Sequence, residues 1–252
     1  MSGEFIQTLC MGKGPALFVA ALMTVLAPAR ADTFTINPLQ SVLTLSGSVA
    51  GNPASQQPPA GFTTSYSGTI DATLTGPTIQ FNSASAAAAI SGNYQPLPGG
   101  TAGSAPGNYG GMFTVSGIFP GTFAIRGLVA SLISGPLSLT GGTFDASQLL
   151  FLATSGNADY RVAALAMMGS LSVAGNSVMN GPGMGSITNV NGVETLTIPI
   201  DVTILFTVVT PNDTMFRLRG NIVATAVPEP ATYMLLGFGV LVCAQQFRRK
   251  KG

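Results

Sequence analysis

The 252-residue chain has no histidine and no tryptophan, and its only cysteines are Cys10 and Cys243. Charged residues make up 8% of it, against about a quarter in an average soluble protein. Between Asp32 and Ala226 there is neither lysine nor cysteine. These absences narrow the chemistry. Without His or Cys, that stretch lacks the commonest general base, the soft metal ligands and a thiol nucleophile. No disulfide can staple it, which is compatible with an oxidising compartment but does not demand one. No basic patch is available for a phosphate backbone, so nucleic acid is not an expected partner. The charge is also too low for charge-driven disorder.

The stretch 32–226 carries seven acids (Asp32, Asp71, Asp145, Asp159, Glu194, Asp201, Asp213) and four arginines (Arg126, Arg161, Arg217, Arg219), a net charge of −3. The +1 of the whole chain therefore comes from its ends. Solubility of the middle must rest on Ser, Thr, Asn, Gln and Gly.

Both ends read as address labels. At the N-terminus, Lys13 supplies a positive start, Pro15 to Ala27 is an apolar run, and Ala29-Arg30-Ala31 fits a small-x-small cleavage site. Residues 1–31 thus read as a signal peptide cut after Ala31, with Ala29 and Ala31 as the cleavage residues. At the other end, Pro228-Glu229-Pro230 is followed by an uncharged run and then Arg248, Arg249, Lys250 and Lys251. The two prolines favour an extended segment that a protease can read. Ala231 to Phe247 is 17 residues, about 25 Å of helix, at the short end of the membrane-spanning range. The four basic residues would stay on the cytoplasmic side and retain the chain, with the body outside.

Pro228-Glu229-Pro230, the apolar run and the basic cluster, in that order, closely resemble the PEP-CTERM sorting signal of exported bacterial proteins. The resemblance covers residues 227–252. It implies a membrane processing enzyme, exosortase, as partner, with the membrane itself held through the C-terminal helix. It also implies an association with exopolysaccharide and biofilm matrix. It carries an address and no biochemical activity.

From Thr33 onward the pattern is β: short runs of Thr, Val, Ile, Leu and Phe, punctuated by Gly, Pro, Asn and Ser. Ser41–Val49 is a strand candidate. Thr69–Thr75 alternates, with Ile70, Ala72 and Leu74 on the inward face. Pro77–Asn82 follows, and Ala86–Ala89 fits a strand of small side chains. Gly51–Gly61 and Tyr94–Gly111 read as loops. Met112–Phe119, Thr122–Ile133, Leu137–Thr140, Gln148–Thr154 and Tyr160–Ala174 continue the strands, with Gly141–Asp145 a turn and Asn176–Gly185 another loop. A short helix competes at Ala163–Met168. Asn191-Gly192 is the best hairpin signal, joining Ile187–Val190 to Val193–Ile198. Val202–Val209 and Met215–Ala224 complete the set. In the last, Phe216, Leu218 and Ile222 share one face, and Arg217, Arg219 and Asn221 the other. The expected fold is all-β: a single antiparallel β-sandwich or flattened barrel of ten to fourteen strands over residues 32–226.

No nucleophile elbow or phosphate-binding loop is present. Asp145 and Asp159 are the carboxylates to consider for glycosidase-type work, set against ordinary roles at turns and strand ends. No Ca²⁺-loop spacing occurs. Arg217 and Arg219 form either an acidic-glycan contact or a solvated face. The reading is a non-enzyme with no catalytic residue, metal or cofactor: an exported surface or matrix structural protein. A second reading rests on Thr33-Phe34-Thr35-Ile36-Asn37-Pro38 followed by Ser41-Val42. This resembles the opening strand of lipocalin-like polyisoprenoid-binding periplasmic proteins, although the His usual after their second strand is missing. It implies a secreted β-barrel binding a small apolar or glycan ligand.

Overall fold

The computed structural model describes residues 30–56, 61–90, 107–207 and 213–226. The expected signal peptide up to Ala29 and the whole of residues 227–252, with the expected membrane helix, lie outside the described residues. Among the described residues no helix is long and apolar enough to cross a membrane.

The described residues form sixteen strands: β1 (Arg30–Ile36), β2 (Val42–Val49), β3 (Asn52–Pro53), β4 (Thr63–Thr75), β5 (Thr78–Phe81), β6 (Ala86–Ala89), β7 (Tyr109–Val115), β8 (Phe119–Ile133), β9 (Leu137–Ser138), β10 (Thr143–Asp145), β11 (Leu150–Val162), β12 (Met167–Ser172), β13 (Ser177–Met179), β14 (Met184–Val190), β15 (Val193–Phe206) and β16 (Thr214–Ala226). They form one sheet, ordered β10-β14-β15-β16-β1-β4-β6-β8-β11-β12. The sheet closes on itself. β4 also pairs with β5, and β5 with β9; the chain then turns at Gly141-Gly142 into β10, which pairs with β14. This is the barrel of the two anticipated architectures.

β1 and β2 act as one bent strand. Both run antiparallel to β4 on one side and to β16 on the other. The bend is Asn37-Pro38-Leu39-Gln40. Pro38 cannot continue the ladder, and the Asn37 side chain accepts from the Leu39 N–H at 3.1 Å to close a turn. The buried Ser41 hydroxyl fills the gap. It donates to the Val223 carbonyl and accepts from the Val223 N–H, both at 2.9 Å.

Alternation sets the interior. Ile70 and Ala72 of β4 are fully buried, as are Leu196, Ile198 and Val202 of β15. Phe216, Leu218, Ile222, Ala224 and Ala226 of β16 also point inward. Phe34, Phe81, Phe144, Phe151, Tyr66 and Tyr109 are the largest fully buried side chains. Phe123 stacks on Phe216 at 5.1 Å, and Phe81 tilts against Phe144 at 5.4 Å. Burying each such ring is worth about 1.5–3 kcal/mol.

Several local expectations need correction. The strand count exceeds fourteen because short segments join the sheet. Tyr109, Gly110 and Gly111 belong to β7, not to the Tyr94–Gly111 loop; residues 91–106 of that loop are not described. Gly111 is small because a neighbouring strand is close: a Cβ there would lie 2.5 Å from the Phe62 ring. Met112–Phe119 is two strands, since Ser116, with φ +51°, opens a turn between β7 and β8. Thr143–Asp145, expected within a turn, is β10, because only Gly141 and Gly142 take the positive φ of the hairpin. Gln148–Thr154 and Tyr160 onward merge into β11, which absorbs Gly156 through two register shifts. The competing helix is a single 3-10 turn at Ala163–Leu165. Part of Asn176–Gly185 is strand, and a Cβ on Gly185 would strike the Phe144 ring at 2.2 Å. Asn191-Gly192 is the expected hairpin turn, with φ +54° and +83°.

Candidate functional site

Among the described residues, Ala31 and Ala226 lie at one end of the barrel. β1 and β16 pair antiparallel, with Thr35 opposite Thr225 and Ile36 opposite Ala224. The same register puts Ala226, the last residue of β16, opposite Phe34. So β1 begins at the end where β16 finishes. Ala31, expected at the cleavage site, lies in β1 with its backbone opposite Thr73 of β4. A cut after Ala31 trims two residues from β1 and leaves Asp32–Ile36. Two hairpins flank this end. Gly76-Pro77 joins β4 to β5, and Asn191-Gly192 joins β14 to β15, with Glu194 opposite Ala226. Val190 and Val193 close the second hairpin and are exposed. Ala29, Pro228, Glu229, Pro230, Arg248, Arg249, Lys250 and Lys251 lie outside the described residues.

The acidic side chains of the body have structural roles. Asp145 caps the 3-10 turn at Ala146–Gln148. It accepts from the Ser147 hydroxyl at 2.7 Å, the Ser147 N–H at 3.0 Å and the Gln148 amide at 3.2 Å. These bonds, the hydroxyl foremost, hold its carboxyl below the usual range. Asp159 sits on β11 and pairs with Arg126 of β8. Leu150 and Asp159 are nine steps apart on β11, about 30 Å of extended chain, and Asp145 precedes that strand. The structure does not bring Asp145 and Asp159 together. A glycosidase needs its two carboxyls within about 10 Å.

Asp201 of β15 gathers two arginines from β16. Arg217 bonds it through Nε at 2.6 Å and an amino nitrogen at 2.7 Å, and Arg219 lies 3.3 Å away. The Arg217 hydrogen bond, aided by the charge of both arginines, holds the Asp201 carboxyl below its ordinary value. Asp201 in turn holds the Arg217 guanidinium protonated still more firmly. Arg217 and Arg219 do share the outer face, as expected, but around an internal counter-ion. What they present to solvent is close to one net positive charge.

The sequence reading missed one polar pair in the core. Tyr109 donates to the Tyr66 oxygen at 3.0 Å, both hydroxyls being buried. Burial pushes both phenols up from their ordinary value. The Gly-rich run around Tyr109 masked it as loop, and no local signal connects it to Tyr66. Among the described residues, no group of three or more acidic, His or Cys side chains is placed to hold a metal. A cavity of about 10 Å³ lies between Val49, Phe123, Asp159, Tyr160, Leu171 and Phe216, which is room for about one water molecule.

Residues 226–250 match the family described as the PEP-CTERM protein-sorting motif. The match begins at Ala226, the last residue of β16, so the motif follows the folded sheet without a linker. No curated protein and no solved structure matches the chain.

Proposed function

We propose, from the premise that the chain carries a PEP-CTERM sorting motif that addresses it to exosortase, that it is a structural protein of the cell surface or extracellular matrix. The carrying observation is the position of the motif, which opens where the barrel ends. The signal peptide delivers the chain across the inner membrane. The run from Ala231 halts it there, with Arg248, Arg249, Lys250 and Lys251 inside. Exosortase reads Pro228-Glu229-Pro230 and releases or transfers the body, with Glu229, the charged residue of the motif, as the recognition handle. The body then works as a packed, cysteine-free β module, with exopolysaccharide as the matrix component it meets. Hydroxyl-bearing Thr44, Ser46 and Ser48 line up beside Arg219, Arg217 and Met215 and give it a hydrogen-bonding outer face.

The lipocalin-like reading gains no support from the interior, where Phe34, Phe81, Phe144 and Phe151 are packed. A non-enzymatic role is in keeping with acids tied into caps and ion pairs. The test is to locate the mature protein in membrane, medium and matrix, with and without residues 227–252. Surface or matrix delivery that depends on those residues supports the proposal. Delivery unaffected by their loss overturns it. Glu229→Ala should leave full-length protein in the membrane, read by mass spectrometry of the mature C-terminus.

A further inference from the structure

The expected leader cut falls inside a strand. β1 begins at Arg30, before the bond between Ala31 and Asp32, and its pairing with β4 runs across that bond. Arg30 lies opposite Leu74, Ala31 opposite Thr73, Asp32 opposite Ala72 and Thr33 opposite Asp71. Neighbouring bonds fix which of these pairs are hydrogen-bonded. The Asp71 carbonyl accepts from the Asn82 N–H on the β5 side of β4. The Asn37 N–H bonds the Val223 carbonyl on the β16 side of β1. Successive residues turn their backbone groups to opposite edges of a strand. Even-numbered residues of β1 and β4 therefore face each other, and Arg30–Leu74 and Asp32–Ala72 are the hydrogen-bonded pairs. The nitrogen of the bond to be cut belongs to Asp32, so its N–H donates to the Ala72 carbonyl.

The residues after the cut hold the strand down. Phe34 is fully buried, opposite the equally buried Ile70, and Ile36 is buried after it. Ala72, the partner of Asp32, is fully buried as well. A protease acts on an extended segment whose backbone is free of other partners, so a bond within a ladder is cut from a locally opened state. Where opening and closing are fast, the rate of cutting follows the population of that state. Freeing both sides of the Ala31–Asp32 bond means breaking both hydrogen-bonded pairs and lifting Phe34 out of the core.

We infer that the barrel protects its own leader junction: the leader is removed before β1 joins β4, and a precursor that folds first keeps it. The same ladder then secures the new end. After the cut, the Asp32 nitrogen remains a donor toward the Ala72 carbonyl, and only the Arg30–Leu74 pair is lost. Phe34 and Ile36 keep the shortened strand in the core. The position of the cut rests on the export reading above. Its protection rests on the register of β1 and β4.

The test uses the full chain with its leader, in detergent micelles, and purified signal peptidase. The chain meets the enzyme either after refolding to a stable β spectrum or by dilution from urea straight into it. The refolded chain should be cut about tenfold more slowly, or slower still, than the diluted one. A Gly-Ser-Gly-Ser-Gly-Ser spacer between Ala31 and Asp32 keeps Ala29 and Ala31 before the cut and moves the bond out of the ladder. That variant should be cut at similar rates in both arms.

Equal cutting of the refolded and the diluted parent overturns the inference. Protection that survives in the spacer variant also overturns it, because the ladder would not be its source. Amide exchange of the refolded precursor reads the ladder directly: the Asp32 N–H should exchange slowly, and free exchange there removes the protection. Mass spectrometry of the product gives its N-terminus. A cut elsewhere than after Ala31, or no cut of the diluted chain, sinks the export reading and this inference with it, and leaves the strand register standing.

Discussion

Two carboxylate–arginine clusters among the described residues, Asp201 and Asp159 with their partners, differ in what surrounds them. Asp201 lies on the outer face between β15 and β16, with Arg217 and Arg219 more than two-fifths exposed. Asp159 is 2% exposed and pairs with Arg126. Among the described residues, its Oδ1 and the Arg126 Nε are buried with no hydrogen-bond partner. Asp201 has both oxygens engaged and keeps access to water. Asp159 has given up water on one oxygen and gained nothing there. The lesson is that the same pair of residue types marks a solvated surface in one place and a costly core contact in the other. Burial decides which, because the desolvation cost of a buried ion is several kcal/mol.

The sharpest way to break the comparison is to remove one partner of the buried pair. Arg126→Met leaves the Asp159 carboxylate without its counter-ion, and should cost about 3–5 kcal/mol of unfolding free energy in urea. Arg126→Met/Asp159→Leu removes both charges and should recover most of that loss. A double variant no more stable than the single would mean that the charges themselves hold this part of β8 and β11 together.

A buried polar pair without charge falls between the two clusters. Tyr66→Phe deletes the acceptor of the Tyr109 hydroxyl, which retains the Leu43 carbonyl at 3.4 Å. The expected loss is about 1 kcal/mol, the net value of one hydrogen bond, measured by the same denaturation. A loss as large as that of Arg126→Met would show that the Tyr pair, and not charge burial, dominates the polar energetics of the core.

The sequence made one cluster far more legible than the other. Arg217 and Arg219 alternate with Phe216 and Leu218, so their place on an outer face follows from a period of two. The hairpin at Asn191-Gly192 was equally local, since two consecutive positive φ values ask for those residues. Arg126 and Asp159 are 33 residues apart on strands whose pairing shifts register twice, so nothing local predicts their meeting. Glycine misled in a consistent way. Gly111 and Gly185 read as loop residues, yet each is small because an aromatic ring lies where its side chain would be. Closure of the sheet was illegible for a related reason, because it depends on the two-residue strand β9 and the three-residue β10. The processing end was half legible. Both address labels stood out in the sequence, but that Ala31 and Ala226 lie at the same end depends on β1 lying beside β16.

The smallest effect belongs to the exposed cluster. Asp201→Asn removes one charge from a site where water already screens it, so Tm at neutral pH should stay within about 2 °C of the parent. The pH dependence sharpens the point. The Asp201 carboxyl titrates below its unfolded value, chiefly through the Arg217 hydrogen bond. Its contribution is therefore present above the unfolded pKa, near 3.9, and is lost as pH falls through the lower folded pKa. Parent and Asp201→Asn should differ slightly at pH 7 and converge in that acid window. Added salt at pH 7 should also narrow the gap, since surface pairs are screened. A gap that persists undiminished below the folded pKa would mean that Asp201 acts through the shape and hydrogen-bond geometry of its side chain toward Arg217, and that its charge counts for little.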